Sequence, residues 1–432
     1  MTGAAVSAAP RRSMMLRLLL GRGSFRASVQ VMQVALAVVW GTVAYGPFAN
    51  ALGACAWLVF LPNAAEKSAL RLAPRVRATR ATVAALAVRF AAAPVLAFAT
   101  GLIVTVVVAP ESALLPYLAA ACWHTCSGML MTVAGLHRLR GRAALDAWAF
   151  TAGAVLVLAV TLSTWLAEWS PRTVLLVLPA GLAAVALVAV GLLPRDWRRP
   201  EPLRRRRFVL AYGRTTWLLG VPELLDALTV AVVFFVLAAV GRVSDSGPFY
   251  LAMLAAGAFC SIVRYQFRIH QPGVSLRQRG AGAVVARAKA MAILRAVVVG
   301  GAAFAVLFSA ALLVPTSRDA LLADTGIAMW AALGVLTAVE IVTAIAVMYG
   351  IFLIENTGGP LLGVSLRGAL CRLLATTVGA LCLVPPLGAA GGFAAVVFAL
   401  SAEAAALHHM VRRRPSGPPA GRPARSGLSS TT

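Results

Sequence analysis

Long apolar runs follow one another along this sequence from residue 28 to residue 410, and short polar segments separate them. Many of the runs reach the roughly 20 residues that a helix needs to cross the hydrocarbon core of a bilayer. The pattern predicts an all-α polytopic membrane protein with about 12 transmembrane helices, or about 10 or 14 if one pair of runs is divided or joined differently. The predicted spans are residues 27–46, 48–62, 83–109, 113–136, 144–167, 173–194, 209–240, 248–268, 286–314, 327–353, 361–384 and 387–409.

The composition excludes an ordinary soluble protein. Hydrophobic residues form 60% of the 432-residue chain, charged residues form only 12%, and the mean hydropathy is +0.86. A soluble domain carries about 25% charged residues. This chain therefore has too few polar groups to cover a globule with a hydrated surface.

The formal net charge of +25 follows the predicted topology. Basic residues are concentrated before the first span and after every second span, whereas the alternate connections hold only Arg172, Arg242 and Arg318. Cytoplasmic loops of membrane proteins carry this kind of Lys and Arg excess. The pattern predicts a multi-pass protein of the cytoplasmic (inner) membrane with both termini in the cytoplasm. It also explains the charge without nucleic acid as a partner.

The most polar internal stretch, LPRDWRRPEPLRRRR, falls after six predicted spans and divides the chain into two halves. In each half a long basic loop follows the second span, so both halves run in the same direction and form a parallel topological repeat. Two six-helix bundles facing a central cavity are typical of an alternating-access transporter. The predicted segments are a basic N-terminal segment 1–26, a bundle 27–194, a basic linker 195–207, a second bundle 208–410 and a disordered basic tail 411–432.

Acidic residues inside the predicted spans are candidates for function, because an ionised side chain at bilayer depth costs about 2.5–3.5 kcal/mol on insertion scales. Glu340 lies near the middle of the tenth span; Glu223 and Asp226 lie three residues apart in the seventh, after Pro222. We predict that these three acids carry a coupling proton or a cation such as sodium, or balance buried arginines. The alternative for Glu340 is a protonated side chain bonded between helices. The alternative for Glu223 is an interfacial position beside Arg214.

Three arginines are candidate ligands for an anionic substrate, because guanidinium groups bind phosphate through paired hydrogen bonds. Arg264 and Arg268 are four residues apart at the cytoplasmic end of the eighth span, and Arg89 lies one to two turns inside the third span. The alternative for Arg264 and Arg268 is ordinary anchoring at the cytoplasmic face. Arg89 has the alternative of extending its charge to the membrane interface.

The sequence carries no set of residues typical of an enzyme. Five scattered histidines offer little for catalysis, and no nucleophile–base set, phosphate-binding loop or zinc-protease motif occurs. Cys122 and Cys126 flank His124, but on a helix the histidine points away from the two thiols. We therefore predict no enzymatic activity, no catalytic residue, no metal site and no cofactor.

Three stretches resemble a known transporter family. GPFYLAMLAAGAFCSIVRYQFRIHQPGVS is similar to the G-x-Y-x-x-A … P-x-x-S stretch at spans seven and eight of polysaccharide and O-antigen flippases. GPFANALGACAWLVFLPNAAEKSALRLAPR resembles the second span and following basic loop of the same family, and the chain's last two runs resemble its last two spans. This family belongs to the multidrug/oligosaccharidyl-lipid/polysaccharide (MOP) exporter superfamily, which includes the MATE multidrug transporters.

The resemblance implies two lobes of six helices and a cavity that opens alternately to each membrane face. It implies a flippase for a lipid-linked saccharide or a similar amphipathic anion, serving polysaccharide biosynthesis at the cell envelope. The multidrug branch implies instead a cation antiporter with proton or sodium coupling. Two further alternatives are a membrane-embedded glycosyltransferase and a non-transporting scaffold of envelope biosynthesis. Short predicted outside loops argue against the glycosyltransferase.

Overall fold

The computed structural model describes residues 12–73, 79–198, 206–254, 256–257, 260, 327–357 and 362–412, together with residues 295, 299, 302, 303, 306 and 310. Within these residues the chain is built from α-helices, and the predicted all-α polytopic fold is confirmed. The helices are α1 (Arg12–Cys55), α2 (Phe60–Leu72), α3 (Arg80–Val108), α4 (Leu115–Leu139), α5 (Ala143–Ala167), α6 (Pro171–Gly191), α7 (Arg195–Arg198), α8 (Arg206–Ala239), α9 (Ile327–Thr357) and α10 (Leu362–Arg412).

Two of these helices are broken into antiparallel arms by a single glycine. Gly41 divides α1 at φ 71° and ψ 166°, and Gly388 divides α10 at φ 57° and ψ −128°. Side chains other than glycine rarely adopt positive φ, so each glycine supplies a turn without a loop. Gly388 matches the predicted boundary between the last two spans. The first boundary was predicted near Pro47, which lies instead inside the second arm of α1.

The second span is therefore longer than its predicted range of 48–62. After Gly41 the chain stays helical through the second arm of α1, a short 3-10 turn at Ala56–Val59 and the whole of α2. The membrane-spanning part of this segment is Val43–Leu70. The predicted range was too short because the polar residues of α2 lie against other helices and not in a loop.

Seven helical segments of the described chain are long and apolar enough to cross a membrane, which makes this a multi-pass protein. They are Val43–Leu70, Arg80–Val108, Ala143–Ala167, Pro171–Gly191, Phe208–Ala239, Ala331–Ile351 and Gly363–Leu407. Predicted span 113–136 corresponds to α4, whose side chains are mostly buried among the neighbouring helices. A helix at the centre of a bundle does not face lipid and therefore tolerates small and polar residues. Most of predicted spans 248–268 and 286–314 lies outside the described residues.

Buried apolar side chains form two clusters, one in each bundle. The N-terminal bundle contains α1–α6, with Phe25 packed against Trp123 and Phe150 at ring-centroid distances of 6.4 and 5.9 Å. The C-terminal bundle contains α8–α10, with Phe249 between Phe234 and Phe393 at 5.0 and 6.0 Å. The residue boundaries predicted for the two bundles stay predictions.

A balanced group of four charges joins the helices of the N-terminal bundle at one end. Arg22 of α1 lies 3.4 Å from Asp146 of α5 and 3.6 Å from Glu66 of α2. Arg138 of α4 lies 3.3 Å from Glu66 and 3.9 Å from Asp146. Asp146 is fully buried, and two arginines offset its charge.

The end of the molecule that carries this group of four charges is called the basic end below. The opposite end, which carries the positive-φ glycines Gly41, Gly241 and Gly388, is called the turn end.

The Gly41 turn gives a test of this fold. Replacing Gly41 by alanine forces a side chain into a positive-φ conformation, which costs about 1–3 kcal/mol. We therefore expect the Gly41→Ala variant to unfold at a lower temperature than the wild type in detergent, measured by the thermal midpoint.

Gly23→Ala in the same helix is the matched control, because Gly23 is helical with open space around it. Alanine favours a helix by about 1 kcal/mol over glycine, so this control should be as stable as the wild type or more stable. Equal midpoints for Gly41→Ala and wild type would contradict the turn.

Candidate functional site

The two bundles meet along a seam in which α8 runs antiparallel to the segment 43–72 of the N-terminal bundle. Toward the turn end of the seam the ring of Phe234 lies over Gly53. Nearer the basic end, a methyl group at Gly220 would lie only 2.8 Å from the Cβ of Ala64. The two glycines therefore let the helices approach more closely than larger side chains would allow.

At the turn end, Asn50 holds the seam with hydrogen bonds to both bundles. Its Nδ2 donates to the backbone carbonyl of Phe234 at 3.0 Å and to Oγ of Ser246 at 2.9 Å. Its Oδ1 accepts a hydrogen bond from the hydroxyl of Tyr117 at 2.8 Å. Asn50 is fully buried, so these bonds replace the water that the amide loses.

At the basic end, the seam is held by an ion pair and a hydrogen bond. Lys67 of α2 pairs with Glu223 of α8. The hydroxyl of Tyr212 donates to the carbonyl of Ala65 at 3.0 Å. The side chains of Lys67 and Glu223 are 34% and 23% exposed. Ion pairs with this access to solvent contribute about 0–1 kcal/mol, so this pair is easily separated.

A second group of charges lies within the C-terminal bundle, beside the seam. Arg372 of α10 pairs with Asp226 of α8, and its Nη1 lies 3.8 Å from Oε2 of Glu403. Glu340 of α9 is 5% exposed and lies within electrostatic range of Arg372 and Asp226. Oε2 of Glu340 and Oε2 of Glu403 are buried without a hydrogen-bond donor among the described residues. We call Asp226, Glu340, Arg372 and Glu403 the Arg372 cluster.

The four members of the Arg372 cluster lie at a common depth in the membrane. Asp226 is about 15 residues from Gly241, which is roughly 22 Å along a helix at 1.5 Å per residue. Arg372 and Glu403 are about 16 and 15 residues from Gly388 on opposite arms of α10, or roughly 22–24 Å along the helix. Glu340 is about 13 residues from the start of α9 at Ile327, or roughly 20 Å. A hydrocarbon core is about 30 Å thick, so all four lie inside it, in the half nearer the basic end.

The two acids of α8 serve different bundles. Glu223 meets Lys67 across the seam, whereas Asp226 meets Arg372 within the C-terminal bundle. Three residues of α-helix turn through about 300°, so the two carboxylates share a side of α8 but diverge by about 60°. Pro222 precedes both acids inside the helix and lacks the N–H that would bond the preceding turn. One turn of α8 therefore links the Arg372 cluster to the seam at a point where the helix bends most easily.

The structure places the predicted site residues in three different situations. Glu340 and Asp226 come together in the Arg372 cluster, and Glu223 lies at the seam with Lys67 as a partner. The side chain of Arg89 is exposed on α3. Arg264 and Arg268 lie outside the described residues. Roles for all of these residues in coupling or substrate binding stay predictions.

Sequence reasoning missed Arg372 and Glu403 as members of a site. The sequence pattern assigns no role to either residue, because Arg372 lies near the basic cytoplasmic end of the eleventh predicted span and Glu403 near the end of the twelfth. Both lie near the same distance from Gly388, on either side of it. Equal spacing of opposite charges around a predicted turn was the signal that could have found this pair.

Comparison with solved structures finds membrane transporters and a lipid flippase with a similar fold. An inward-facing multidrug resistance MATE family transporter of the MOP superfamily gives a TM-score of 0.59 at 13% sequence identity, covering 92% of this chain and 97% of that chain. The lipid II flippase MurJ in an inward closed conformation gives 0.61 at 11% identity, covering 93% and 88%. A MOP superfamily transporter from Pyrococcus furiosus gives 0.51 at 16% identity, covering 91% and 97%.

No protein-family model matches the sequence, and a search of curated proteins finds no significant match. An outward-facing MATE transporter gives a TM-score of 0.58, close to the value for the inward-facing form. Identities of 11–16% make these likenesses statements about fold. The chain therefore has the two-bundle helical fold of MOP superfamily transporters, and the resemblance seen in the sequence is confirmed at that level.

Proposed function

We propose that this protein is a membrane transporter that works by alternating access between its two bundles. Its substrate is a lipid-linked saccharide or a similar amphipathic anion, which it moves across the cytoplasmic membrane for export of cell-surface polysaccharide. Its termini lie on the cytoplasmic side, as the distribution of basic residues predicts. It acts as a carrier and catalyses no chemical step.

One observation carries the transport proposal: α8 is joined by an ion pair to each bundle within a single helical turn. Glu223 holds Lys67 of the N-terminal bundle, and Asp226 holds Arg372 of the C-terminal bundle. A static helical bundle has no need to place two charges within one turn of a helix, since a charge such as Asp226 costs several kcal/mol at bilayer depth when it is unpaired. A helix that couples the conformations of the two bundles does need both charges.

The strengths of the contacts along the seam suit a rocking motion. A hydrogen bond contributes about 0.5–1.5 kcal/mol, and the partly exposed ion pair Lys67–Glu223 contributes about 0–1 kcal/mol. Separating either end of the seam therefore costs little, provided that the opposite end stays closed. Opening at Lys67–Glu223 exposes the space between the bundles to the basic end, and opening at Asn50 exposes it to the turn end.

The Arg372 cluster supplies the coupling step. Within the described residues of this cluster three carboxylates lie around one guanidinium, so full ionisation gives the cluster itself a net negative charge at bilayer depth, which is unfavourable. One of these acids therefore takes up a proton in one state of the cycle and releases it in the other. Glu340 and Glu403 each have an oxygen ready to carry that proton. Asp226 transmits the change to Glu223 through one turn of α8.

The substrate assignment rests on charge. Arg89, Arg264 and Arg268 are the arginines that we assign to an anionic head group. The formal charge of +25 makes the cytoplasmic approach to the membrane strongly attractive to anions. The fold is shared with a lipid II flippase as well as with multidrug transporters.

A cation antiporter of the multidrug type is the second candidate. It is favoured by the composition of the Arg372 cluster, in which carboxylates outnumber guanidinium groups by three to one. An excess of buried carboxylate is the arrangement that an organic cation or a sodium ion would prefer.

The two candidates differ in the charge of the substrate, which a deletion strain measures. Loss of a flippase should cause lipid-linked saccharide to accumulate on the cytoplasmic side of the membrane, with unchanged sensitivity to cationic dyes. Loss of a cation antiporter should raise dye sensitivity and leave the lipid-linked saccharide pool unchanged. The second result would overturn the flippase assignment and keep the transporter.

The coupling role is tested in reconstituted vesicles with a proton gradient. We expect Asp226→Asn and Glu340→Gln to reduce gradient-driven transport by about tenfold, equivalent to roughly 1.4 kcal/mol, because Glu340 exchanges the proton and Asp226 transmits the change to the seam. Glu111→Gln is the matched control, since Glu111 pairs with Arg172 on the surface at the turn end and has 88% of its side chain exposed. Wild-type rates and wild-type dependence on the gradient in both buried variants would remove the coupling role.

The seam is tested by a reversible cross-link. In a chain whose six native cysteines have been replaced, cysteines at positions 67 and 223 should form a disulfide that blocks transport, and a reductant should restore it. Cysteines at positions 111 and 172 are the matched control, because this ion pair lies within the N-terminal bundle and its cross-link leaves the bundles free to rock. Transport at the full rate with positions 67 and 223 linked would contradict alternating access at this seam.

A further inference from the structure

The outer face of the C-terminal bundle carries an apolar groove of about 520 Å³ between the two arms of α10. Leu370, Leu374 and Val378 of the first arm and Phe398 of the second arm line it. These side chains are 46–62% exposed, although the helix that carries them crosses the membrane. Arg372, which points into the bundle, lies about 160° around the helix from Leu374. The groove therefore faces outward and away from the Arg372 cluster.

The groove has the length of one half of a bilayer. Val378 and Phe398 are each about 10 residues from Gly388, or roughly 15 Å along their helices, which is the middle of a hydrocarbon core about 30 Å thick. Arg367, at the other end of the groove, is about 21 residues from Gly388, or roughly 31 Å. The groove thus runs from the centre of the membrane to the head-group level at the basic end.

Two groups that bind anions lie at this outer end. Arg367 is exposed, and no ion pair or hydrogen bond joins it to another residue in the described part of the chain. His409 is exposed on the second arm and is also about 21 residues from Gly388. It is eleven residues after Phe398, which is close to three full turns, so it lies on the groove side of its arm. Arg367 and His409 therefore flank the mouth of the groove at the same depth.

We propose that this groove is a binding site for an anionic phospholipid of the surrounding membrane. An acyl chain lies along Leu374, Val378 and Phe398, and the phosphate meets the guanidinium of Arg367 beside His409. Basic pockets between membrane helices on the cytoplasmic side bind anionic head groups in this way. The apolar length of one leaflet fixes the depth of the chain, and the two basic groups select the charge of the head group. This site is separate from the seam and does not depend on the transport proposal.

Native mass spectrometry of the full-length protein measures this binding directly. Wild-type protein should retain phosphatidylglycerol in preference to phosphatidylcholine when both are offered at equal concentration. Arg367→Gln should weaken the first phosphatidylglycerol binding event by about fivefold, the effect of roughly 1 kcal/mol per basic residue near the membrane surface. Arg367→Lys should restore most of the affinity. His409→Gln should give a smaller loss.

Two matched controls separate this site from general attraction to a basic protein. Arg214→Gln removes another exposed arginine near the basic end, on α8, and should leave the first binding event unchanged. Val378→Trp fills the groove and should remove the bound lipid whatever its head group. Leu381→Trp is its control and should leave lipid binding unchanged, because Leu381 is equally exposed on the same arm but does not line the groove. Each variant must keep the wild-type thermal midpoint. Equal losses in Arg367→Gln and Arg214→Gln, or retention of lipid in Val378→Trp, would overturn the proposal.

Discussion

The structure depends on one constraint: charge that enters the hydrocarbon core of the membrane must find its counter-charge inside the protein, because lipid tails offer none. The two bundles meet this constraint in opposite ways. In the N-terminal bundle, Arg22 and Arg138 balance Glu66 and Asp146 one for one. In the described part of the C-terminal bundle, Arg372 pairs with Asp226 and Glu403, and a third carboxylate, Glu340, lies within electrostatic range. A balanced set favours one arrangement, whereas an unbalanced set depends on protons or on a partner to complete it.

The second feature is the way α8 belongs to both bundles at once. Glycines bring it into close contact with the N-terminal bundle, and Pro222 weakens its backbone beside the two acids. The contacts that hold it at each end of the seam are few and individually weak. Close packing along the seam and weak contacts at its ends are what the proposed rocking motion requires. This combination connects the local chemistry of α8 to the behaviour of the whole fold.

The low identity to solved transporters has a physical explanation as well. A bilayer requires long apolar helices, small residues where helices cross and turns at the ends, and many sequences satisfy those requirements. The fold is consequently similar in shape at 11–16% identity, and function resides in sites placed on the fold and not in the fold itself. The Arg372 cluster and the groove beside Arg367 are features of particular residues and not of the fold alone.

The sequence by itself determined the membrane setting, the helical class and the approximate limits of most described spans, because hydropathy and loop charge respond to the bilayer and not to neighbouring helices. It also identified Glu223, Asp226 and Glu340 as acidic side chains inside predicted membrane-spanning helices. It placed the first turn near Pro47, where the break is at Gly41. The sequence alone could not identify the ion-pair partners of these acids. Lys67, Arg372 and Glu403 are distant in sequence from the acids of α8, and only the packing of helices from both bundles brings them together. Which acid faces which bundle was therefore decided by the tertiary structure.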